Sequence, residues 1–237
     1  MMDEVETSFT QQKQFVEDAS HELRTPLTII QGHLSMLNRW GKNDPAVLDK
    51  SLQSSLKEVD RLNKLVLELL ELSRAESEQM HPIAADPVHV NSILKQVTQN
   101  FAVLQTEFQF DMKLGEDSAY VSIPSSYLEQ IIIIVLDNAV KYTKEVNKYI
   151  CIESSVQSGK VKIRIIDRGA GIPEADLPFV LNRFYRVDKA RSRKQGGNGL
   201  GLSIAKRLVE KYNGTIRIES KEGEGTIVTI ILPTVSL

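Results

Sequence analysis

The run Ser20-His21-Glu22-Leu23-Arg24-Thr25-Pro26-Leu27 places an imidazole, a carboxylate, a guanidinium and a hydroxyl side by side. Pro26 has no N–H to give the carbonyl four residues back, that of Glu22. A helix through this run is therefore expected to loosen or bend beside His21. A polar cluster at a weakened turn suggests an exposed imidazole placed to react. A surface histidine near a tolerated kink accounts for the same residues, and the octapeptide alone does not choose between the two.

Three further clusters have chemical potential. In Asp137-Asn138-Ala139-Val140-Lys141-Tyr142, residues Asn138, Lys141 and Tyr142 stand at i, i+3 and i+4 and share one helical face. An amide oxygen can ligate Mg²⁺, an ammonium can meet phosphate and a phenol ring can cover a base. A polar edge on a buried helix is the plainer reading of any one of them. Asp167-Arg168-Gly169-Ala170-Gly171-Ile172-Pro173 follows an apparent strand. Its two glycines allow close backbone approach and positive φ. A carboxylate at a strand end can accept from an exocyclic amine, which would select adenine, although such turns are common. Gly196-Gly197-Asn198-Gly199-Leu200-Gly201-Leu202 precedes a helix, whose N–H groups and dipole make an anion site, unless the glycines only form a hinge. Residues 186–198 carry five basic residues and one acidic residue, with little apolar content, and are expected to form a mobile lid suited to a triphosphate. Neither a Walker-type Gly-Lys-Ser/Thr sequence nor a dinucleotide glycine fingerprint is present.

These clusters need a scaffold, and 237 residues suffice for one or two domains. Apolar residues at 41% and charged residues at 25% are ordinary for a soluble globular protein. A net charge of -2 leaves no nucleic-acid footprint. The one cysteine, Cys151, cannot form an internal disulfide; it falls in a strand expected over 149–156, packs as a small hydrophobe and fits a reducing compartment. The longest apolar run, Ile131 to Leu136, is far short of the roughly 18 residues of a membrane span, so no membrane contact is expected within this chain. Met1-Met2 followed by polar residues lacks a secretory pattern, and upstream segments are expected.

Two helices are expected over the first 79 residues. Phe15, Ala19, Leu23, Leu27, Ile30, Leu34 and Leu37 form one apolar stripe. Gly41-Lys42-Asn43-Asp44-Pro45 breaks it, with Asp44 a good cap and Pro45 a good first helical residue. Leu48, Leu52, Leu56, Val59, Leu62, Val66 and Leu69 form the second stripe. A short loop makes the helices antiparallel neighbours. Each stripe is nearly as long as its helix, which points to a second copy of the hairpin and a homodimeric four-helix bundle. Packing of the hairpin on the rest of the chain is the other possibility. Met80-His81-Pro82-Ile83-Ala84-Ala85-Asp86-Pro87 reads as a linker. Beyond it come a helix over 90–106, strands over 108–114 and 119–123, and a helix over 125–144. A hairpin over 148–157 and 160–167, a helix over 200–212 and a last hairpin over 215–220 and 226–232 follow. The expected fold class is α+β, a sandwich of an antiparallel-rich sheet with helices on one face.

Together these features resemble the cytoplasmic catalytic core of bacterial two-component sensor histidine kinases, over residues 10–233. Residues 20–27 match the phosphoacceptor box, 138–142 the asparagine box and 167–171 the first glycine box. Phe184-Tyr185-Arg186 matches the phenylalanine box, residues 197–202 the second glycine box, and Gly223-Glu224-Gly225-Thr226 the last. The resemblance implies a dimerisation and phosphotransfer hairpin over 1–80, a linker over 81–86 and a Bergerat-type ATP-binding domain over 87–237. It implies that His21 takes the γ-phosphoryl of ATP, with Glu22, Arg24 and Thr25 as further catalytic residues. Glu22 would hold or deprotonate the other ring nitrogen, and Thr25 would orient water in a reverse, phosphatase reaction. Asn138 would ligate Mg²⁺, Lys141 and Arg186 would neutralise phosphate, and Asp167 would read the adenine amine. Tyr142, Gly169, Gly171, Phe184, Tyr185, Gly197, Gly199, Leu200, Gly201 and Thr226 would complete the nucleotide site. The implied partners are a second copy and a response regulator, with no nucleic acid. The implied location is cytoplasmic, with a membrane-anchored parent.

The chain departs from the family pattern at Ile134, where an asparagine is usual, and at Asn198, where threonine is more frequent. His33 is expected on the bundle surface, and His81 and His89 in solvent. The rival readings are a Bergerat-fold ATPase whose hairpin only dimerises and a nucleotide-binding scaffold that has lost catalysis.

Overall fold

The computed structural model describes residues 2–41, 44–77, 86–115, 119–143, 147–187 and 197–235. Two compact units result: residues 1–70 with 196–198, and residues 71–195 with 199–237.

The first unit is the hairpin of α1 (Met2–Met36) and α2 (Pro45–Ser77). α1 runs through Pro26 as one continuous helix. One lost backbone bond in a helix of 35 residues leaves its neighbours' bonds to carry it. Thr25 Oγ1 also donates to the His21 carbonyl at 3.3 Å. The helix does not stop at Met36 but widens into a π-turn over Leu37–Gly41. Asp44 caps α2 as its type predicts: Oδ1 accepts from the Ala46 N–H at 3.0 Å and the Val47 N–H at 3.3 Å. Lys42 and Asn43 lie outside the described residues.

α2 has two unlike faces. Ser51, Ser55 and Leu65 are buried. Leu52 is 44% exposed, Leu56 64%, Val59 40% and Val66 44%, so most of the predicted stripe faces away from its own hairpin. Leu27 and Leu34 on α1 are likewise exposed.

The second unit is the sandwich. Its helices are α3 (Val90–Leu104), α4 (Ser125–Tyr142) and α5 (Gly201–Lys211). β1 (Val88–His89) pairs antiparallel with β3 (Tyr120–Val121) in a small sheet. The main sheet contains β2 (Gln109–Leu114), β4 (Tyr149–Gln157), β5 (Lys160–Asp167), β6 (Thr215–Lys221) and β7 (Gly225–Pro233), in the order β2-β4-β5-β7-β6. Among the described strands only β2 and β4 run parallel. Alternation aims Ile150 and Ile152 of β4, Ile163 and Ile165 of β5, and Ile230 and Leu232 of β7 into the core. Leu128, Ile131, Ile132, Val135 and Leu136 of α4 are buried, which explains its nearly all-apolar middle. Cys151 is buried in β4 as a free thiol, and desolvation raises its pKa.

His89 is not in open solvent. It is half-buried, with Nδ1 2.7 Å from Ser92 Oγ and its ring 5.0 Å from that of Tyr120, because β1 pairs it beside that tyrosine. His33 is half-buried, and its Nδ1 is sealed from solvent with no hydrogen bond among the described residues. His81 and the linker residues 78–85 lie outside the described residues.

A buried polar clamp fixes β2 to the sheet. Asn91 Nδ2 donates to the Gly115 carbonyl at 3.1 Å, and Ser154 Oγ donates to Asn91 Oδ1 at 2.7 Å. Asn91→Ala leaves the serine and the carbonyl without this partner and is expected to cost about 1–3 kcal/mol. Urea denaturation of the purified variant measures it, and a loss under a few tenths would show that water replaces the amide.

Candidate functional site

β5 ends on Asp167, at a core-facing position of its alternation. The carboxylate is 8% exposed; Oδ1 accepts from the Gly169 N–H at 2.7 Å and the Thr226 N–H at 3.3 Å. Burial pushes its pKa from 3.8 to about 6, against the lowering effect of those two amides. A buried carboxylate with one oxygen anchored can offer the other to a ligand N–H.

The loop after Asp167 is locked from two sides. Gly171 has φ +69, and a Cβ there would lie 2.0 Å from the Lys221 carbonyl oxygen. Gly225 has φ +130, and a Cβ would lie 2.1 Å from the Asp167 carbonyl oxygen. Only glycine fits either place. The Gly223 N–H donates to the Ala170 carbonyl at 2.7 Å, and the Ile172 N–H donates to Ser220 Oγ at 2.9 Å. Ser220 Oγ in turn donates to the Gly225 carbonyl at 2.7 Å and lies 3.0 Å from Thr226 Oγ1. From the other side, the Ala170 N–H donates to the Tyr142 carbonyl at 3.0 Å. Gly169 backs onto that same carbonyl. The first and last glycine motifs and the end of α4 thus form one structure.

α4 presents the predicted trio on its last turns. Asn138 is half-buried, and its amide has no hydrogen bond among the described residues. Tyr142 is 42% exposed. Lys141 Nζ meets Asp137 Oδ2 at 2.5 Å, a pairing not expected from the phosphate role. The i, i+4 spacing favours it. Ile134 faces the start of α5: a Cβ on Gly201 would lie 3.3 Å from Ile134 Cγ2.

The Phe184 N–H donates to the Gly199 carbonyl at 2.9 Å, with Phe184 at φ 60. This bond joins the two ends of the basic segment; residues 188–196, with most of the expected lid, lie outside the described residues. Tyr185 stacks on Phe179 at 5.6 Å and donates to Asp176 Oδ1 at 2.5 Å, which raises the phenol pKa. Arg186 is half-buried. Beside it in sequence, Arg183 has its pKa lowered by burial and then by the nearby Arg207. α5 begins at buried Leu200 with no side-chain cap, so its first N–H groups present the positive end of the helix. Gly197 is half-buried just before it.

On α1, His21 and Arg24 are exposed, and Glu22 and Thr25 are half-buried. Glu22 Oε2 lies 3.7 Å from Arg61 Nη2 of α2. Arg61, Asp137, Asp176 and Ser220 were not singled out by motif. The i, i+4 relation could have found Asp137; the others become visible only when distant elements meet. Among the described residues no group of three or more His, Cys, Asp or Glu side chains could hold a metal ion. Among the described residues no helix is long and apolar enough to cross a membrane.

One unit is a helical hairpin that exposes a histidine, and the other is an α/β sandwich with a buried, amide-anchored carboxylate and an uncapped helix start, the two parts expected of a phosphoacceptor unit and a nucleotide-binding domain. Residues 11–78 match the His Kinase A (phospho-acceptor) domain, and residues 124–236 match the histidine kinase-, DNA gyrase B- and HSP90-like ATPase family. The signal transduction histidine-protein kinase ArlS of Staphylococcus aureus (strain USA300) is 47% identical over 231 residues, 98% of this chain and 51% of that protein. Acinetobacter baumannii histidine kinase AdeS superposes with a TM-score of 0.69 at 26% identity, covering 91% of this chain and 98% of that one. Histidine kinase ThkA, solved in complex with response regulator protein TrrA, shares the fold with a TM-score of 0.76 at 21% identity, over 97% of this chain and 64% of that one. The chain belongs to the histidine kinase family, and it spans about half the length of the curated relatives it matches.

The raised pKa of Asp167 carries a stability cost with a definite sign. Between pH 4 and 6 the folded chain holds a proton that the unfolded chain has released. The stabilising contribution is therefore full below about pH 4 and lost as pH rises through about 6. Asp167→Asn is expected to raise stability at pH 7.5 by about 1–3 kcal/mol, with the gain shrinking towards pH 4. Denaturation at the two pH values checks it; a gain that grows on acidification would contradict the assignment.

Proposed function

We propose that this chain is the kinase core of a sensor protein: it autophosphorylates His21 from Mg-ATP and passes the phosphoryl group to an aspartate of a response regulator. The observation that carries the reading is the buried Asp167 carboxylate, anchored through one oxygen in the unit where α5 starts uncapped, in a chain whose other unit exposes His21 within a family-type box.

In this reading residues 1–80 serve phosphotransfer and 87–237 serve ATP binding, joined by 81–86. Asp167 accepts from the adenine amine. Its ionised form is required, so ATP binding weakens as pH falls below about 6. Gly169, Gly171 and Thr226 hold that carboxylate and its loop. Tyr142, Phe184 and Tyr185 line the nucleotide's path, and the backbone of Gly197, Gly199, Leu200 and Gly201 meets phosphate at the start of α5. Lys141 turns from Asp137 to phosphate, and Arg186 adds a second cation. The free amide of Asn138 fits Mg²⁺, with phosphate oxygens supplying the other ligands; the ion would neutralise charge on the transferring group.

The attacking ring nitrogen of His21 forms the P–N bond as the bridging P–O bond breaks and ADP leaves. Glu22 holds or takes the proton of the other nitrogen, and Arg24 offers charge to the incoming phosphoryl group. Thr25 orients water in the reverse reaction on the phospho-regulator. The parent protein is proposed to be membrane-anchored through upstream segments, with this part cytoplasmic.

Incubation with γ-labelled ATP and Mg²⁺ tests the assignment. His21→Gln is expected to abolish acid-labile labelling and to leave ATP affinity nearly unchanged, because all the proposed nucleotide residues but Gly197 lie in the other unit. Persistent labelling at the wild-type level would falsify it, and ATP hydrolysis without any phosphohistidine would favour the simple ATPase.

The exposed leucine stripe of α2 supports a homodimer. Each such side chain would gain about 1.5–3 kcal/mol on burial against a second copy. Leu56→Glu places a carboxylate in that seam. Sedimentation is expected to show the wild type at twice 26.6 kDa and the variant at the single-chain mass. A wild-type monomer at micromolar concentration would remove the bundle.

A further inference from the structure

Ser220 of β6 spends the whole hydrogen-bonding capacity of its hydroxyl, and this fixes the polarity of a second hydroxyl next to Asp167. Its place follows from the sheet. Ser220 and Thr226 are Cα partners across the β6–β7 turn. Ile216 and Ile230 mark the core-facing side of these strands. Alternation keeps Ser220 and Thr226 on that side, at the end of the sheet where Asp167 stands.

A hydroxyl has one proton to donate and two lone pairs to accept with. The Ser220 proton goes to the Gly225 carbonyl at 2.7 Å, a group that can only accept. One lone pair accepts from the Ile172 N–H at 2.9 Å. The contact with Thr226 Oγ1 at 3.0 Å is left to the other lone pair, so the Thr226 hydroxyl must be the donor. With its proton committed to β6, Thr226 Oγ1 has only lone pairs to offer elsewhere. The Thr226 N–H is committed as well, to Asp167 Oδ1 at 3.3 Å. An ionised Asp167 is likewise an acceptor only.

The inference rests on the reading in which Asp167 accepts from the adenine amine. We propose that Ser220 is a positioning residue for base selection: by holding the Thr226 hydroxyl as a donor to β6, it makes Thr226 a second acceptor beside Asp167, so that a purine with an amine at position 6 is taken and one with an oxygen there is refused. An amine brings two N–H donors to such a pair. A 6-oxo group can only accept, and it meets lone pairs from both residues. Without Ser220 the Thr226 hydroxyl can rotate and donate to that oxygen, and one of the two refusals is lost.

The test is the affinity of the full chain for ATP and for inosine triphosphate, measured by calorimetry at pH 7.5, where Asp167, with its pKa at about 6, is ionised. Every protein carries His21→Gln, so that no phosphoryl transfer intervenes. The two nucleotides differ only at the position-6 group and the protonation of the adjacent ring nitrogen. The ratio of their dissociation constants therefore reports on base selection and not on phosphate binding. ATP is expected to be preferred by about tenfold or more. Ser220→Ala is expected to lower that ratio about five- to tenfold, the worth of one hydrogen bond changing sides. Ser220→Thr keeps the hydroxyl and is expected to hold the ratio within about twofold. A serine that only braced the loop would weaken both nucleotides alike. An unchanged ratio in Ser220→Ala, or a threonine variant that behaves like the alanine, overturns the proposal.

If Ser220→Ala does not fold, Thr226→Val decides. It removes the oxygen in nearly the same shape and leaves Ser220 its bonds to Gly225 and Ile172. It is expected to lower the ratio likewise, and an unchanged ratio refutes the second acceptor. Asp167→Asn separates the two levels. A ratio near one before any further change, or one that Asp167→Asn leaves high, removes the adenine reading itself. A ratio that falls with Asp167→Asn alone removes only the role of Ser220.

Discussion

The nucleotide end of the sandwich depends on backbone approaching backbone at distances no side chain would allow. Gly171 against the Lys221 carbonyl and Gly225 against the Asp167 carbonyl bring the loop after β5 onto the β6–β7 turn. With that contact made, Thr226 can reach Asp167 with its N–H, and Ser220 can satisfy Ile172. Asp167 is then withdrawn from solvent, which raises its pKa against the lowering effect of the two amides that hold it. The chemistry of one carboxylate is therefore a consequence of glycines up to 58 residues further along the chain (225 minus 167). A mutation in the last hairpin would reach the Asp167 carboxylate through the backbone alone.

The hairpin obeys a different constraint. α2 buries Ser51, Ser55 and Leu65, and Arg61 approaches Glu22 of α1, while Leu48, Leu52 and Leu56 stay exposed. Much of the apolar surface of α2 thus stays uncovered within one chain.

Much of this was legible in the chain, and the parts that were not share a cause. The strand over 160–167 is found where its alternation and the Ser158-Gly159 turn put it, because both signals are local. Asp44 and Pro45 announce the start of α2 for the same reason. The β1–β3 pair is two residues per strand, too short to carry a period, and without it His89 looked solvated. The parallel pairing of β2 with β4 could not be read, since nothing in either strand encodes its neighbour across 34 intervening residues (149 minus 114, less one). The glycine motifs announced close approach, but not that Lys221 and Asp167 would be the groups approached. In the candidate site, residue identity was readable and partnership was not: Lys141 was visible as a cation, while its commitment to Asp137 depends on which of several nearby acids the fold leaves in reach.

The same contrast shows how the site departs from the most stable arrangement. Asp167 is kept ionisable where desolvation resists ionisation, Asn138 keeps an amide without a described partner, α5 starts without a cap, and Pro26 removes a backbone bond beside His21. Each is unfavourable by itself, and none lies in the Ile- and Leu-filled middle of the sandwich, where packing is complete. Lys141 is compensated instead, by a flexible acid on its own helix. An ammonium held this way remains charged and close at little desolvation cost, and it can exchange one anion for another by rotating about side-chain bonds. Unmet groups of fixed geometry beside cations with exchangeable partners are what a site needs if it is to gain a polyanion without rebuilding its backbone. On physical grounds, that separates the four departures from random imperfections of packing.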